Sequence, residues 1–429
     1  MAPPRAVVVV TGSELVRGDR RDLNGPFLAQ ELTRLGLEPD RVVLVGDRPD
    51  ELAAALAEGL RADLCVVSGG LGPTHDDRTV ELLAAATGRE LVLDEALEAE
   101  IEAFSRGVAA RLERPFGDFQ PGIRKQASLP AGGVSLGLAG TAPAFLLEHE
   151  DGRIAVALPG PPVELRRLWP NAVAHAAVRG LVERADQPER RSLRFFGPTE
   201  SAVARVLAEA GGEREGFEAT VCARDLEIHV DLVVRPGGEE GAASVTEALV
   251  TAFRDDLFAR DDERPVEEIV LGLCRARGLT LATAESCTGG LIGARLTEIA
   301  GASDVFLGGV IAYSNEVKER RLGVPAELLR EHGAVSAEVG AAMASGARRQ
   351  LGADLAVADT GIAGPGGGTP EKPVGLVFLA VDGPDGAHTT RVQLPGDRQT
   401  VRARATALAL HMLRRELSRT TTEPRESDR

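Results

Sequence analysis

Short apolar runs alternate with amphipathic stretches along most of this 429-residue chain. RAVVVVTG opens it as a buried strand, followed by the polar loop GSELVRGDRRDLN. GPFLAQELTRLG then puts Phe27, Leu28, Leu32 and Leu35 on one side of a helix. Strand DRVVLVGD, helix DELAAALAEGLR, strand ADLCVVSGG and helix DDRTVELLAAATG continue the alternation. Such a succession predicts a parallel sheet with covering helices. It runs to about Val178, with the loop LPGPP switching in after strand RIAVAL.

From about Arg190 to Asp262 the pattern changes. SLRFFG, ATVCAR and EIHVDLVVRP read as strands, with helices in TESAVARVLAEAG and GAASVTEALVTAFRDDLF. This predicts a small α+β module. Near Pro265 a third segment begins with helix VEEIVLGLCRARG, strand LTLATAE, the turn SCTGG and helix LIGARLTEIAG. Strand DVFLGGVIAYSN, helices EVKERRLGV and SAEVGAAMASGARRQLG, and strand ADLAVADTG follow. The loop IAGPGGGTPEKP, two more strands and a helix from about Arg398 to Leu417 complete it. The expected organisation is an α/β domain at 1–180, a connecting module at 190–262, a second α/β domain at 265–418 and a disordered polar tail at 419–429.

Hydrophobic residues make up 43% and charged residues 27%, which excludes wholesale disorder. The net charge of −16 repels phosphate backbones, so no nucleic-acid partner is expected. No apolar run reaches the roughly 18 residues of a membrane span, so no membrane partner is expected either. Cys65, Cys222, Cys274 and Cys287 form no CxxC and no disulfide framework, which suits a reduced cytoplasm. Of the 49 basic residues only Lys125, Lys318 and Lys372 are lysines. A lysine surviving this bias is a candidate for chemistry that needs proton loss, which arginine cannot provide. Chance survival on a solvated face explains any single one about as well.

The strongest candidate chemistry lies in the third segment. Ser286 falls at the C-terminal end of a strand, where α/β sheets place their sites. Gly289 and Gly290 let the backbone approach a ligand, and the following helix N-terminus favours a phosphate or an oxyanion. Tyr313, the chain's only tyrosine, closes a strand. Ser314 or Asn315 caps the next helix, which puts Lys318 in a first turn where the dipole lowers an ammonium's pKa. A serine with a lysine base is an established nucleophile arrangement. Cys287 is the rival nucleophile. Thr360 ends another strand before the flexible glycines that include Gly364, a loop suited to a phosphate or a ribose. Arg398 and Arg402 share a helix face at i and i+4 and can grip a phosphate. In the first segment, GGLGPT offers backbone N–H groups to a diphosphate, and Asp77 and Glu81, with Asp76 beside them, form a helix-face carboxylate set for a hard metal ion. His75 is read as exposed.

AESCTGGLIGARLTEIAG, GGVIAYSNEVKERRLGV, DTGIAGPGGGTPEKPVG and PGDRQTVR closely resemble the C-terminal domain of the CinA family, the nicotinamide-mononucleotide deamidases. TGSELVRGDRRDLN, SGGLGPTHDDRTVE, KQASLP, GTAP and LPGPPVE resemble the molybdopterin-binding-like N-terminal domain of its long members, and the middle module has their small KH-like pattern. The resemblance implies a cytoplasmic homodimer acting on small nucleotides. It implies hydrolysis of nicotinamide mononucleotide to nicotinic acid mononucleotide and ammonia without a cofactor. Ser286 is then the nucleophile, Tyr313 and Lys318 its activating partners, and Gly289, Gly290, Thr360, Gly364, Arg398 and Arg402 bind substrate. It further implies an ADP-ribose pyrophosphatase in the first domain. There Asn24, Gly69, Gly70, Gly72 and Thr74 hold the nucleotide. Asp76, Asp77 and Glu81 hold a divalent metal (Mg2+, Mn2+ or Co2+), with K+ as an optional companion. The alternative is a pterin- or nucleotide-binding competence or damage-inducible accessory protein that works through protein contacts.

Overall fold

The computed structural model describes residues 4–185, 188–212 and 216–419. Of the tail read at 419–429, only Arg419 lies among these, as the last residue of the final helix. The chain divides into two compact units, residues 1–189 and 190–429. No helix of the described residues is long and apolar enough to cross a membrane.

The first unit is built on a six-stranded sheet in the order Glu38–Val45, Arg5–Thr11, Leu64–Ser68, Ile154–Leu158, Pro143–Glu148 and Val134–Leu138. The first four strands are parallel, as expected. The last two pairings are antiparallel, so only Pro143–Glu148 runs against the rest and the all-parallel expectation is corrected to a mixed sheet. The valine run of the second strand in this order fills two cores at once. Val7 and Val9 face one and Val8 and Val10 the other, because successive side chains leave opposite faces.

The second unit contains two sheets. The smaller has four strands in the order Phe217–Arg224, Glu227–Val234, Glu189–Phe196 and Leu257–Arg260. Helices Glu200–Glu209 and Glu239–Ala252 share its apolar core. The strand Leu257–Arg260 corrects the reading that ran the second helix through to Phe258.

The larger sheet has five strands in the order Phe306–Ile311, Leu281–Glu285, Leu355–Gly361, Leu376–Gly383 and Gly386–Gln393. The first three are parallel, and Leu376–Gly383 runs antiparallel between its two neighbours. Its alternation sorts residues by size. Leu281, Leu355, Val357, Leu379 and Val381 face helices Val266–Arg277 and Arg398–Arg419. Ala282, Ala284, Ala356, Ala358 and Ala380 face helix Ala337–Leu351. That helix also packs closely on helix Asn315–Leu322, which carries Lys318. A Cβ added at Gly346 would lie 2.1 Å from the Leu322 carbonyl oxygen. Main chain cannot yield cheaply there. Gly346→Ala is therefore expected to cost about 1–3 kcal/mol by overpacking, read as a lowered Tm. A melting temperature unchanged from wild type would refute this packing.

Candidate active site

Ser286 directly follows strand Leu281–Glu285 and is nearly buried. Gly289 (φ 61°) and Gly290 (φ 102°) then turn the chain in the left-handed region into helix Leu291–Glu298. Across the neighbouring parallel strand, the Ser314 side chain caps helix Asn315–Leu322 by accepting from Val317 N–H. Lys318, one turn into that helix, reaches back beneath the sheet end. Its Nζ lies 3.0 Å from Ser286 Oγ and donates to the Ala312 carbonyl at 2.7 Å. Lys318 is only 2% exposed. Burial drives its pKa below the ordinary value, against the opposing pull of Asp359. The dominant cause is thus desolvation, where the sequence pointed to the helix dipole together with partial burial. Cys287 is buried, and burial, followed by the charge of Asp359, pushes its thiol up to about 12. A thiol that keeps its proton is a poor nucleophile, which favours the neighbouring serine.

Two buried acids missing from the sequence reading shape this turn. Glu285 accepts from the N–H groups of Gly290 (2.8 Å), Ile292 (3.0 Å) and Gly293 (2.8 Å). The helix N-terminus expected to receive a substrate anion is therefore already occupied by the chain's own carboxylate. Asp359 accepts from Ser286 N–H at 3.1 Å and Thr288 N–H at 2.9 Å. Burial pushes its carboxyl up to about 6, against those hydrogen bonds. An acid at each of two adjacent strand ends, Glu285 and Asp359, was the available signal. Among the described residues the N–H groups of Cys287 and Gly289 carry no acceptor.

The remaining residues assemble around this turn, several in roles other than those expected. Tyr313 lies two residues beyond its strand and is 61% exposed. Its hydroxyl accepts from Arg398 Nη2 at 2.6 Å, whereas Ser286 Oγ is met by Lys318. Arg398 also donates to the Gly364 carbonyl at 3.0 Å. Arg402 donates to the Thr288 carbonyl at 2.6 Å and to that of Cys287 at 3.3 Å. Both arginines line a cleft of about 580 Å3 with Leu291 and Gln399. Thr360 is buried, and its hydroxyl is committed to the Ala334 carbonyl at 2.6 Å.

The first unit has its own pocket of about 620 Å3, lined by Asn24, Gly69, Gly70, Gly72, Asp76 and Asp77 among others. Gly69 and Gly70 take positive φ. Asn24 is buried; its Nδ2 donates to Ser68 Oγ at 2.9 Å and to the Gly160 carbonyl at 2.7 Å, while its Oδ1 has no partner among the described residues. The carboxylates do not form the expected set. Helix Thr79–Ala86 starts after Asp76 and Asp77, so Asp77 and Glu81 do not share its face. Asp77 accepts from Thr74 N–H at 3.0 Å, Thr74 Oγ1 contacts both aspartates, and Glu81 pairs with Arg78 at 3.1 Å. Among the described residues no three His, Cys, Asp or Glu side chains are grouped closely enough to hold a metal ion. These residues do not fit the expected divalent metal. The His75 side chain is fully exposed.

A mixed α/β protein with a buried serine–lysine pair at the end of one sheet and a glycine-turn pocket on another is the class these features define. Residues 263–417 match the family model described as CinA C-terminal domain, and residues 7–177 match the one described as probable molybdopterin binding domain. A CinA-like protein of Mycolicibacterium gilvum (strain PYR-GCK) is 44% identical over 427 residues, covering 96% of this chain and 99% of that protein. One of Mycolicibacterium vanbaalenii is 44% identical over 421 residues, with the same coverage. The crystal structure of the competence/damage inducible protein CihA from Agrobacterium tumefaciens is 43% identical, covers 36% of this chain and 93% of its own, and has a TM-score of 0.35. The chain belongs to the CinA family.

Proposed function

We propose that the second unit hydrolyses the carboxamide of nicotinamide mononucleotide, giving nicotinic acid mononucleotide and ammonia. The observation that carries this reading is the buried Lys318 Nζ at 3.0 Å from Ser286 Oγ. A desolvated lysine is held neutral more easily, and a neutral amine can take the serine proton. Ser286 Oγ then attacks the amide carbon, and the carbonyl oxygen becomes an oxyanion. The N–H groups of Cys287 and Gly289 are the uncommitted donors available to it. The Lys318 ammonium returns the proton to the departing amine, which leaves as ammonia. Water then attacks the acyl-serine, passing a proton to Lys318, and Lys318 returns it to Ser286 Oγ as the C–Oγ bond breaks and the nicotinic acid mononucleotide leaves. Arg398 and Arg402 have more N–H donors than their main-chain contacts use, and the cleft they line falls within the usual range for ligand pockets.

The test is ammonia release from the mononucleotide by the full-length protein, with and without excess chelator. Release is expected in both cases, because no step above uses a metal. No release under either condition would sink the reading. Tyr313→Phe removes only an acceptor for exposed Arg398. It is expected to lower turnover by no more than about tenfold, the scale of one lost hydrogen bond. A loss as deep as that of Lys318→Ala would make Tyr313 the base instead.

A second reading concerns the first unit. The Asn24 Oδ1, without a partner among the described residues and beside the Gly69–Gly70 turn, favours a pocket for a nucleotide that brings its own donor to that oxygen. The carboxylate arrangement gives the pyrophosphatase and its metal no comparable support.

A further inference from the structure

Behind the nucleophile turn, Thr288 stands between the two buried acids. Its Oγ1 lies 2.7 Å from Glu285 Oε2 and 2.6 Å from Asp359 Oδ2. All three residues are at most 2% exposed. A hydroxyl has one proton to donate. With both acids ionised, one of the two contacts would set lone pair against lone pair at hydrogen-bond distance in a dry site. Both contacts are hydrogen bonds only if one acid carries a proton and donates it to Thr288, which donates onward to the other.

The surroundings say which acid carries it. Glu285 Oε2 already receives the N–H groups of Gly290 and Ile292, and Oε1 that of Gly293. Three such donors at a helix N-terminus favour the ionised form. Asp359 receives fewer, Ser286 N–H at 3.1 Å on Oδ2 and Thr288 N–H at 2.9 Å on Oδ1, and it stands at no helix N-terminus. We infer that Glu285 and Asp359 share one proton through Thr288, with the proton resident on Asp359, and that Asp359 in this form is the positioning residue of the nucleophile turn.

The raised pKa of Asp359 has the same sense. The charged and titratable groups that bear on it are Glu285 on the adjacent strand, Lys318 from helix Asn315–Leu322 and Cys287 in the turn. Arg398 and Arg402 of the last helix act on Cys287. Below its own ionisation near 6, a protonated Asp359 also withholds a negative charge from Lys318, which eases proton loss from that amine. This consequence rests on the serine–lysine reading above; the proton count does not.

The test therefore measures stability and protonation, not turnover. An acid whose folded pKa lies above its unfolded value gives stability that is present at low pH and lost as pH rises through the folded pKa. For Asp359 the window runs from roughly 4, the unfolded value, to about 6. The Tm of Asp359→Asn relative to wild type is expected to improve as pH rises through that window, whatever fixed penalty the lost Ser286 N–H acceptor imposes. A difference that is flat, or that turns against the Asn variant above pH 6, overturns the inference. Infrared difference spectra of the unmodified protein across the same interval need no variant to fold. They should show one buried carboxylic acid losing its proton, and absence of that C=O band overturns the inference equally.

Discussion

Ser286→Ala is expected to reduce ammonia release from nicotinamide mononucleotide by roughly 10^4-fold or more, the scale on which activated nucleophiles are lost. The fold should survive. Alanine fits the strand end, Asp359 still accepts the residue's main-chain N–H, and Lys318 keeps its bond to the Ala312 carbonyl. Melting temperature should therefore move little while turnover collapses. Cys287→Ala is the companion measurement. A buried thiol with its pKa near 12 offers almost no thiolate at neutral pH. Full activity in the Ser286→Ala variant together with loss in Cys287→Ala would transfer the nucleophile to the cysteine.

Ser286 and Lys318 were legible because both consequences of their positions are local. A serine at a strand end and a lysine one turn past a capping serine follow from short spacings. What brought them to 3.0 Å was the parallel pairing of strands Leu281–Glu285 and Phe306–Ile311, which short spacings do not encode. The same limit hid Asp359. It reaches the nucleophile turn only because its strand pairs with Leu281–Glu285 from the other side, more than seventy residues away in sequence. Glu285 was hidden differently. An open helix N-terminus is a fair expectation from a glycine turn, and only the fold reveals that a buried strand-end acid already fills it. In the first unit the acid-rich DDRTVE stretch read as one helix. The chain instead uses Asp77 to close the loop onto Thr74, and the helix starts two residues later, at Thr79.

The lysine argument also changes once all three are located. Lys125 Nζ donates to the carbonyls of Thr74 and Asp77, and Lys372 Nζ to those of His332 (2.5 Å) and Val335 (2.7 Å). Lys318 likewise holds the Ala312 carbonyl. Each lysine in this arginine-rich chain clasps main-chain oxygens in a loop. A compact ammonium suits that task where a planar fork does not. Scarcity alone therefore reports geometry as readily as proton transfer. What singles out Lys318 is its second partner, a serine hydroxyl, in a buried site.

Lys318→Arg is thus expected to lose turnover nearly as completely as Lys318→Ala, by about 10^3-fold or more if the amine is the proton acceptor. Arginine stays protonated at any working pH and cannot accept the Ser286 proton. Its loss alone would not separate chemistry from misfit, since the guanidinium is also larger than the site's ammonium. Three measurements separate them. The wild-type rate should rise with pH through an ionisation well below the roughly 10.4 of a free lysine, because the active form is the unprotonated amine and burial lowers its pKa. That limb should vanish in both variants. Small primary amines should restore activity to Lys318→Ala, which leaves room for them, and not to Lys318→Arg. Lys125→Arg, the same exchange at a loop clasp in the first unit, should lower the melting temperature and leave deamidation alone. If Lys318→Arg keeps near-wild-type turnover with the same pH limb, the lysine is only a loop clasp, and the base must be sought elsewhere.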